Sequence, residues 1–210
     1  MHGRPKRDAI LLAAICLAAG CGGMQQGYFS MPYLGEPPRR PAVATTALAR
    51  SRMQELHFPG LEMKVDLLNS VQMSDAIWFG LEFPMVPVRS RRSKPPPAGT
   101  NCAIEIGFKA LESGIEFDPS LVNLRVSKKS NSPSGFELYR PFAGEWVAMP
   151  AGPVAFTNDS HYWFRLQFAI PRPSPNRDIR LDLDPALRHP GLAPFPVIRF
   201  LKKKWREPYS

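Results

Sequence analysis

The sequence has no Gly-rich phosphate loop ending in Lys-Ser or Lys-Thr, no Gly-x-Ser-x-Gly elbow, no His-Glu-x-x-His and no Cys-x-x-Cys. These gaps exclude the nucleotide hydrolases, elbow-type serine hydrolases, zincin proteases and dithiol oxidoreductases that reveal themselves locally. Histidine is scarce: after His2 come only His57, His161 and His189, and none has a second His or Cys at ligand spacing. Asp159 stands two residues before His161, but a lone carboxylate does not complete a ligand set, so neither a metal nor a cofactor is expected. Long apolar runs are lacking too. The best, Ala9 to Gly20, is shorter than the roughly 20 residues that a membrane-spanning helix needs. Acidic residues are outnumbered, 18 against 27 basic, which leaves a formal charge of +9. With 24 prolines against 15 glycines the chain has little room for long helices and favours loops and strand edges.

What is present begins at the amino terminus. Arg4, Lys6 and Arg7 precede the apolar run, which ends in Leu17-Ala18-Ala19-Gly20-Cys21. Small residues let this segment enter a narrow peptidase site in extended form, and the Cys21 thiol can carry a thioether-linked diacylglycerol. Cys16 follows the bulky Ile15 and fits such a site badly. The leader resembles that of bacterial lipoproteins, with Ala18 where Leu is more usual. The resemblance implies removal of residues 1–20 and lipidation at Cys21. Gly22, where Asp would signal inner-membrane retention, implies an outer-membrane lipoprotein facing the periplasm.

Removal of Arg4, Lys6, Arg7 and Asp8 with the leader leaves 24 basic and 17 acidic side chains, a net charge of +7. In the envelope the available anions are lipid head groups, anionic polymers and acidic proteins, so nucleic acid is not an expected partner. Cys16 leaves with the leader and Cys21 is lipidated, so Cys102 has no thiol to pair with. It shares an apolar strand face with Ile104 and Ile106 and reads as a small core residue.

Residues 21–58 are rich in Gly, Gln, Pro and Arg around Pro37-Pro38-Arg39-Arg40-Pro41, and read as a lipid-anchored tether. Within it, Thr45 or Thr46 caps a short helix with Ala49, Met53 and Leu56 at helical spacing. From residue 59 to 210 the apolar period is two. Leu61, Met63, Val65 and Leu67 alternate with Glu62, Lys64 and Asp66. Ile77 to Phe83, Cys102 to Phe108, Val122 to Val126, Ile179 to Leu183 and Pro196 to Leu201 repeat the pattern, with short strands at Phe136 to Arg140 and Glu145 to Met149. The clearest run is His161 to Ile170, which predicts a central strand. Eight or nine such strands without long helices predict an antiparallel immunoglobulin-like β-sandwich, ahead of a closed barrel.

Basic groups are the strongest remaining signal. Arg89, Arg91, Arg92 and Lys94 fall in a segment that reads as a long loop, and Lys202, Lys203, Lys204 and Arg206 surround Trp205 near the carboxyl terminus. An indole among cations suits an anionic interface, with the ring in a head-group layer and the cations on phosphates. The expectation is therefore a non-catalytic module that contacts an envelope protein or an anionic envelope lipid or polymer. The competing class is an envelope hydrolase or other enzyme with a site assembled from distant strands, for which Asp118, His161 and Asp182 are the first candidates. Asp118 before Pro119 also reads as a turn, as does Asn158-Asp159-Ser160. Asp178, Asp182 and Asp184 share a strand face, but Arg180 among them opposes cation binding and makes that face an ion-paired surface.

Overall fold

A computed structural model of the chain describes residues 22–38, 46–79, 86–92, 101–191 and 194–208. They form an all-β antiparallel sandwich of two large sheets and a small one. The first sheet runs β5 (Val86–Arg92), β4 (Val71–Phe79), β1 (Gly22–Tyr33), β16 (Ile198–Pro208), β14 (Ile179–Asp182), β8 (Asn123–Val126), β9 (Lys129–Asn131). The second runs β11 (Glu145–Ala148), β10 (Gly135–Arg140), β13 (His161–Pro171), β6 (Asn101–Ala110), β3 (Leu61–Leu67), β2 (Glu55–Phe58). The third places β7 (Glu116–Phe117) between β12 (Val154–Ala155) and β15 (Leu187–Arg188). Among the described residues the sheets have open edges rather than the closure of a barrel. Among the described residues sixteen strands stand where eight or nine were expected, since several have only two to four residues, too few for a period to register, and β1 and β5 fall in segments that read as tether and loop.

The alternating runs form the core. Leu61, Met63, Val65 and Leu67 of β3, Cys102, Ile104, Ile106 and Phe108 of β6, and Phe164, Leu166 and Phe168 of β13 point inward and are almost completely buried. They meet Leu124, Ile179, Leu181, Ile198 and Phe200 of the opposing sheet. Phe117 of the small sheet closes one side, with its ring 4.8 Å from Phe108 and 4.9 Å from Phe164. β13 and β6 are the central pair of their sheet, in the position that the strength of the His161 run indicates. Cys102 is the free thiol of the described residues and is fully buried, and burial pushes its pKa up to about 12.

Two expectations are corrected. Over its described residues, 22–38 and 46–58, the expected tether 21–58 is not one: Gly22–Tyr33 is a strand in mid-sheet, paired to β16 from Met24↔Pro208 to Tyr33↔Arg199 and to β4 from Gly22↔Trp78 to Tyr28↔Val71. Strand pairing satisfies the backbone of a segment whose glycines and glutamines suggest flexibility. The short helix is present only as α1 (Ala47–Arg52), with the Thr46 hydroxyl accepting from the Ala49 N–H at 3.0 Å; it ends at Met53, and Leu56, expected on its face, lies in β2 instead.

The second correction concerns the carboxyl-terminal run, which is strand rather than tail. Trp205 is 5% exposed and packs with Phe29 and Met31, with Met53 and Leu201 around them. Arg50 of α1 caps this cluster, its guanidinium 5.2 Å from the Trp205 ring and 3.3 Å from the Glu207 carboxylate. Lys203 is buried on the same face, and burial pushes its pKa down. Only Lys202, Lys204 and Arg206, on the other face, keep solvent access, with the Lys202 ammonium 3.9 Å from the centre of the Tyr28 ring.

Candidate binding cleft

Period-two alternation turns one residue in two of β2, β3, β6, β13 and β10 outward, and the pairing register sorts these residues into three rows. The first row reads Asp66, Glu105, Arg165, Glu137; the second reads Glu55, Lys64, Gly107, Trp163; the third reads His57, Glu62, Lys109, His161. The second and third rows enclose a cleft of about 280 Å³, lined by residues that include His57, Glu62, Lys64, Gly107, His161 and Trp163.

Gly107 shapes the cleft. A Cβ there would come within 2.8 to 2.9 Å of three atoms of the Trp163 ring, so the indole leans over the strand backbone where a side chain would otherwise stand. Trp163 is half-buried, and the Lys64 ammonium lies 5.8 Å from its ring centre while also bonding the Ser51 hydroxyl at the end of α1. The Lys109 ammonium meets Glu62 at 3.2 Å. Two carboxylates, two ammonium groups and two imidazoles thus surround an aromatic wall, a set that offers hydrogen-bond donors and acceptors with little net charge.

The first row is a rigid ion ladder. Arg165 donates to Glu105 from Nε at 3.0 Å and from Nη2 at 2.7 Å, reaches Glu137 at 3.4 Å, and has the Trp146 ring 4.0 Å from its guanidinium carbon. Asp66 stands at the end of this row opposite Glu105. Burial and then the Glu105 charge raise its pKa, against the smaller opposing effects of Arg50, Lys64 and a Gln54 hydrogen bond.

The candidate catalytic residues do not converge. Asp118, His161 and Asp182 line three separate clefts. Asp118 caps a turn, accepting from the Ser120 N–H at 3.0 Å and its hydroxyl at 2.6 Å, and Asp182 accepts from the Asp184 N–H at 3.1 Å. Asp178 is held by Arg180 at 2.9 Å, as the ion-paired reading of that face requires. Among the described residues no three His, Cys, Asp or Glu side chains are grouped as a metal ion would need.

The basic groups also fail to form one patch. Arg89, Arg91 and Arg92 belong to edge strand β5, opposite Ile77, Asp75 and Ser74, and not to a loop; Lys94 and Cys21 lie outside the described residues. Trp205 and Lys203 are interior, so the cations and the indole do not share a surface. Sequence reasoning missed Trp163 and Gly107 as a pair, since only the register across β3, β6 and β13 joins them.

No family model matches the chain, and no curated protein matches it. Among solved structures it is similar to an uncharacterized β-sandwich protein from Clostridium difficile 630, at 8% identity over 83% of this chain and 100% of that one, with a TM-score of 0.34. A superposition this loose carries no argument about function.

Proposed function

We propose that the chain is an outer-membrane lipoprotein, anchored through Cys21 and facing the periplasm, whose sandwich is a non-catalytic binding module for an envelope polymer. It works as immunoglobulin-like modules do, through a sheet face. The observation that carries this reading is Trp163 leaning over Gly107 in an open cleft lined by balanced charges. An aromatic wall beside paired donors and acceptors suits a sugar ring, which offers an apolar C–H face to the indole and hydroxyls to Glu62, Lys64 and the two imidazoles. The dispersal of Asp118, His161 and Asp182 favours binding over hydrolysis.

The test uses the full chain in detergent with isolated cell-wall glycan and with lipopolysaccharide. Trp163→Ala should weaken binding about tenfold, the equivalent of roughly 1.4 kcal/mol, with the protein still folded at the assay temperature by circular dichroism. Equal binding by the two proteins removes the cleft as the contact. The anchor is read separately: Cys21→Ser should release the protein from membranes or block its cleavage, and an unmodified mature amino terminus at another residue refutes lipidation.

A further inference from the structure

We propose that a second cleft, between the β8–β9 hairpin and the connection from β13 to β14, is a binding site for a phosphate group. This cleft of about 380 Å³ is lined by Lys129, Arg172 and Arg177 together with Asn131 and Ser174, on walls formed by Val126, Ile170, Pro171 and Pro173. Among the described residues no carboxylate lines it. Among the described residues none of its three cations is in an ion pair, whereas Arg50, Lys109, Arg165, Arg180 and Arg188 each have a carboxylate partner. Asp178, the acid next to Arg177 in sequence, is occupied by Arg180 through two contacts at 2.9 and 3.2 Å.

The second observation is independent of the charge count. Arg172 Nε is buried with no hydrogen-bond partner, a donor withdrawn from water and left unmet. A tetrahedral anion with several acceptor oxygens meets that need, and guanidinium forks match phosphate better than ammonium does. The scaffold is also set in advance. Pro173 and Pro175 are buried, the Pro173 carbonyl accepts from Asn69 Nδ2 at 3.1 Å, and the Arg177 N–H closes a turn onto the Ser174 carbonyl at 3.0 Å.

Position points to the source. β14 is antiparallel to β16 with Arg180↔Arg199 and Leu181↔Ile198, so the chain that precedes Ile179 lies toward the end where β16 finishes and β1 begins. Asn69 bonds both Ser30 and the Pro173 carbonyl, which sets the cleft near the level of Ser30 and Lys202, about eight residues or roughly 26 Å along β1 from Gly22; even with lipid on Cys21 the fitting phosphate is therefore that of a soluble compound, and an anionic lipid head group is the other source.

The experiment titrates inorganic phosphate calorimetrically into the full chain held in uncharged detergent micelles. Saturable binding that is weakened about tenfold for each cation lost in Lys129→Gln and Arg177→Gln, at unchanged melting temperature, supports the site. Both side chains are exposed, so these variants should fold. Arg172→Lys should fall between wild type and the double variant. Doping the micelles with phosphatidylglycerol, but not with phosphatidylcholine, should displace phosphate if the head group is the source; no displacement assigns a soluble ligand. Absence of saturable binding up to roughly 10 mM phosphate, or equal affinity in the double variant, overturns the proposal, since three ionic contacts should give better than millimolar affinity. The mass of the mature amino terminus tests the anchor whatever the titration shows.

Discussion

Trp205→Ala separates a core indole from one that enters a head-group layer. Trp205 is 5% exposed, and Gly27 across the β1/β16 pair has no room for a side chain, since an added Cβ would run into the Val71 carbonyl oxygen and lie 2.8 Å from the Trp205 ring. A buried Trp removes about 150–250 Å² from water, worth roughly 4–6 kcal/mol at about 25 cal/mol per Å², an upper bound because unfolded chains bury some surface. Against this stands Trp205 Nε1, buried without a partner, which costs about 1–3 kcal/mol. The balance predicts a loss of about 3 kcal/mol for Trp205→Ala, within the usual range for truncating a large core side chain. For a domain of this size that is a fall of roughly 6–12 °C in melting temperature. Trp205→Phe keeps a ring beneath Arg50, removes the unmet N–H, and should cost under about 1.5 kcal/mol. Urea unfolding followed by far-ultraviolet circular dichroism measures both without relying on the indole as reporter. A Trp205→Ala loss below about 0.5 kcal/mol would refute the packing argument and restore the solvated tail.

Three other changes test particular contacts. Folding favours the protonated Cys102 thiol, pushed up to about 12 from 9.0, so the stability it contributes is intact below about pH 9 and is lost as pH rises toward 12. Between pH 8 and 10.5 the wild type should therefore lose more stability in urea than Cys102→Ala, and rapid thiol labelling at neutral pH would contradict its burial. The raised pKa of Asp66 means that its contribution is present in acid and lost as pH climbs through the folded value; Asp66→Asn should gain stability at pH 7 and nothing at pH 3. An equal gain at both pH values would show that charge is not the cause. Gly107→Ala should cost about 1–3 kcal/mol by forcing Trp163 off the strand, and should shift the indole emission; an unchanged spectrum and stability would mean that the ring does not lie there.

The strands that the sequence makes legible are those with one consistently buried face between clear turns: β3, β6 and β13. β1 is hidden because its inward positions include Gly27, where a glycine usually read as flexibility is a clearance for Trp205. β16 is hidden by a change of face. Ile198 and Phe200 enter the main core, then Leu201 and Trp205 enter the second cluster under α1, and a period-two pattern gives no warning of that switch. Its charge run Lys202-Lys203-Lys204 looked solvated, yet the middle lysine is buried. The cleft was not legible at all. It depends on Lys64, Gly107 and Trp163 standing in one row, and pairing between strands so far apart in sequence leaves no local trace. The second cleft has a partial trace: Pro171, Pro173 and Pro175 mark a stiff connection, but not that its arginines face Lys129.

Replacing a tether by a strand changes what lipidation at Cys21 would do to the domain. A proline-rich spacer would let the sandwich tumble above the membrane, whereas Gly22 is already in register with Trp78 on one side and Met24 with Pro208 on the other. A lipid on the preceding residue would then hold the sheet end-on to the bilayer, with the two ends of the β1/β16 ribbon nearest the head groups. The two clefts divide along that axis. β13 runs from His161, in the cleft with Trp163, to Pro171, beside Arg172, and at about 3.3 Å per residue its ends are roughly 30 Å apart. The cationic cleft lies near the level of Ser30 and Lys202, about eight residues or roughly 26 Å along β1 from Gly22, and the aromatic cleft lies at the other end of β13, so an end-on domain would hold both clefts clear of the bilayer. That spacing depends on a short, rigid link at Gly22, which a flexible linker would abolish.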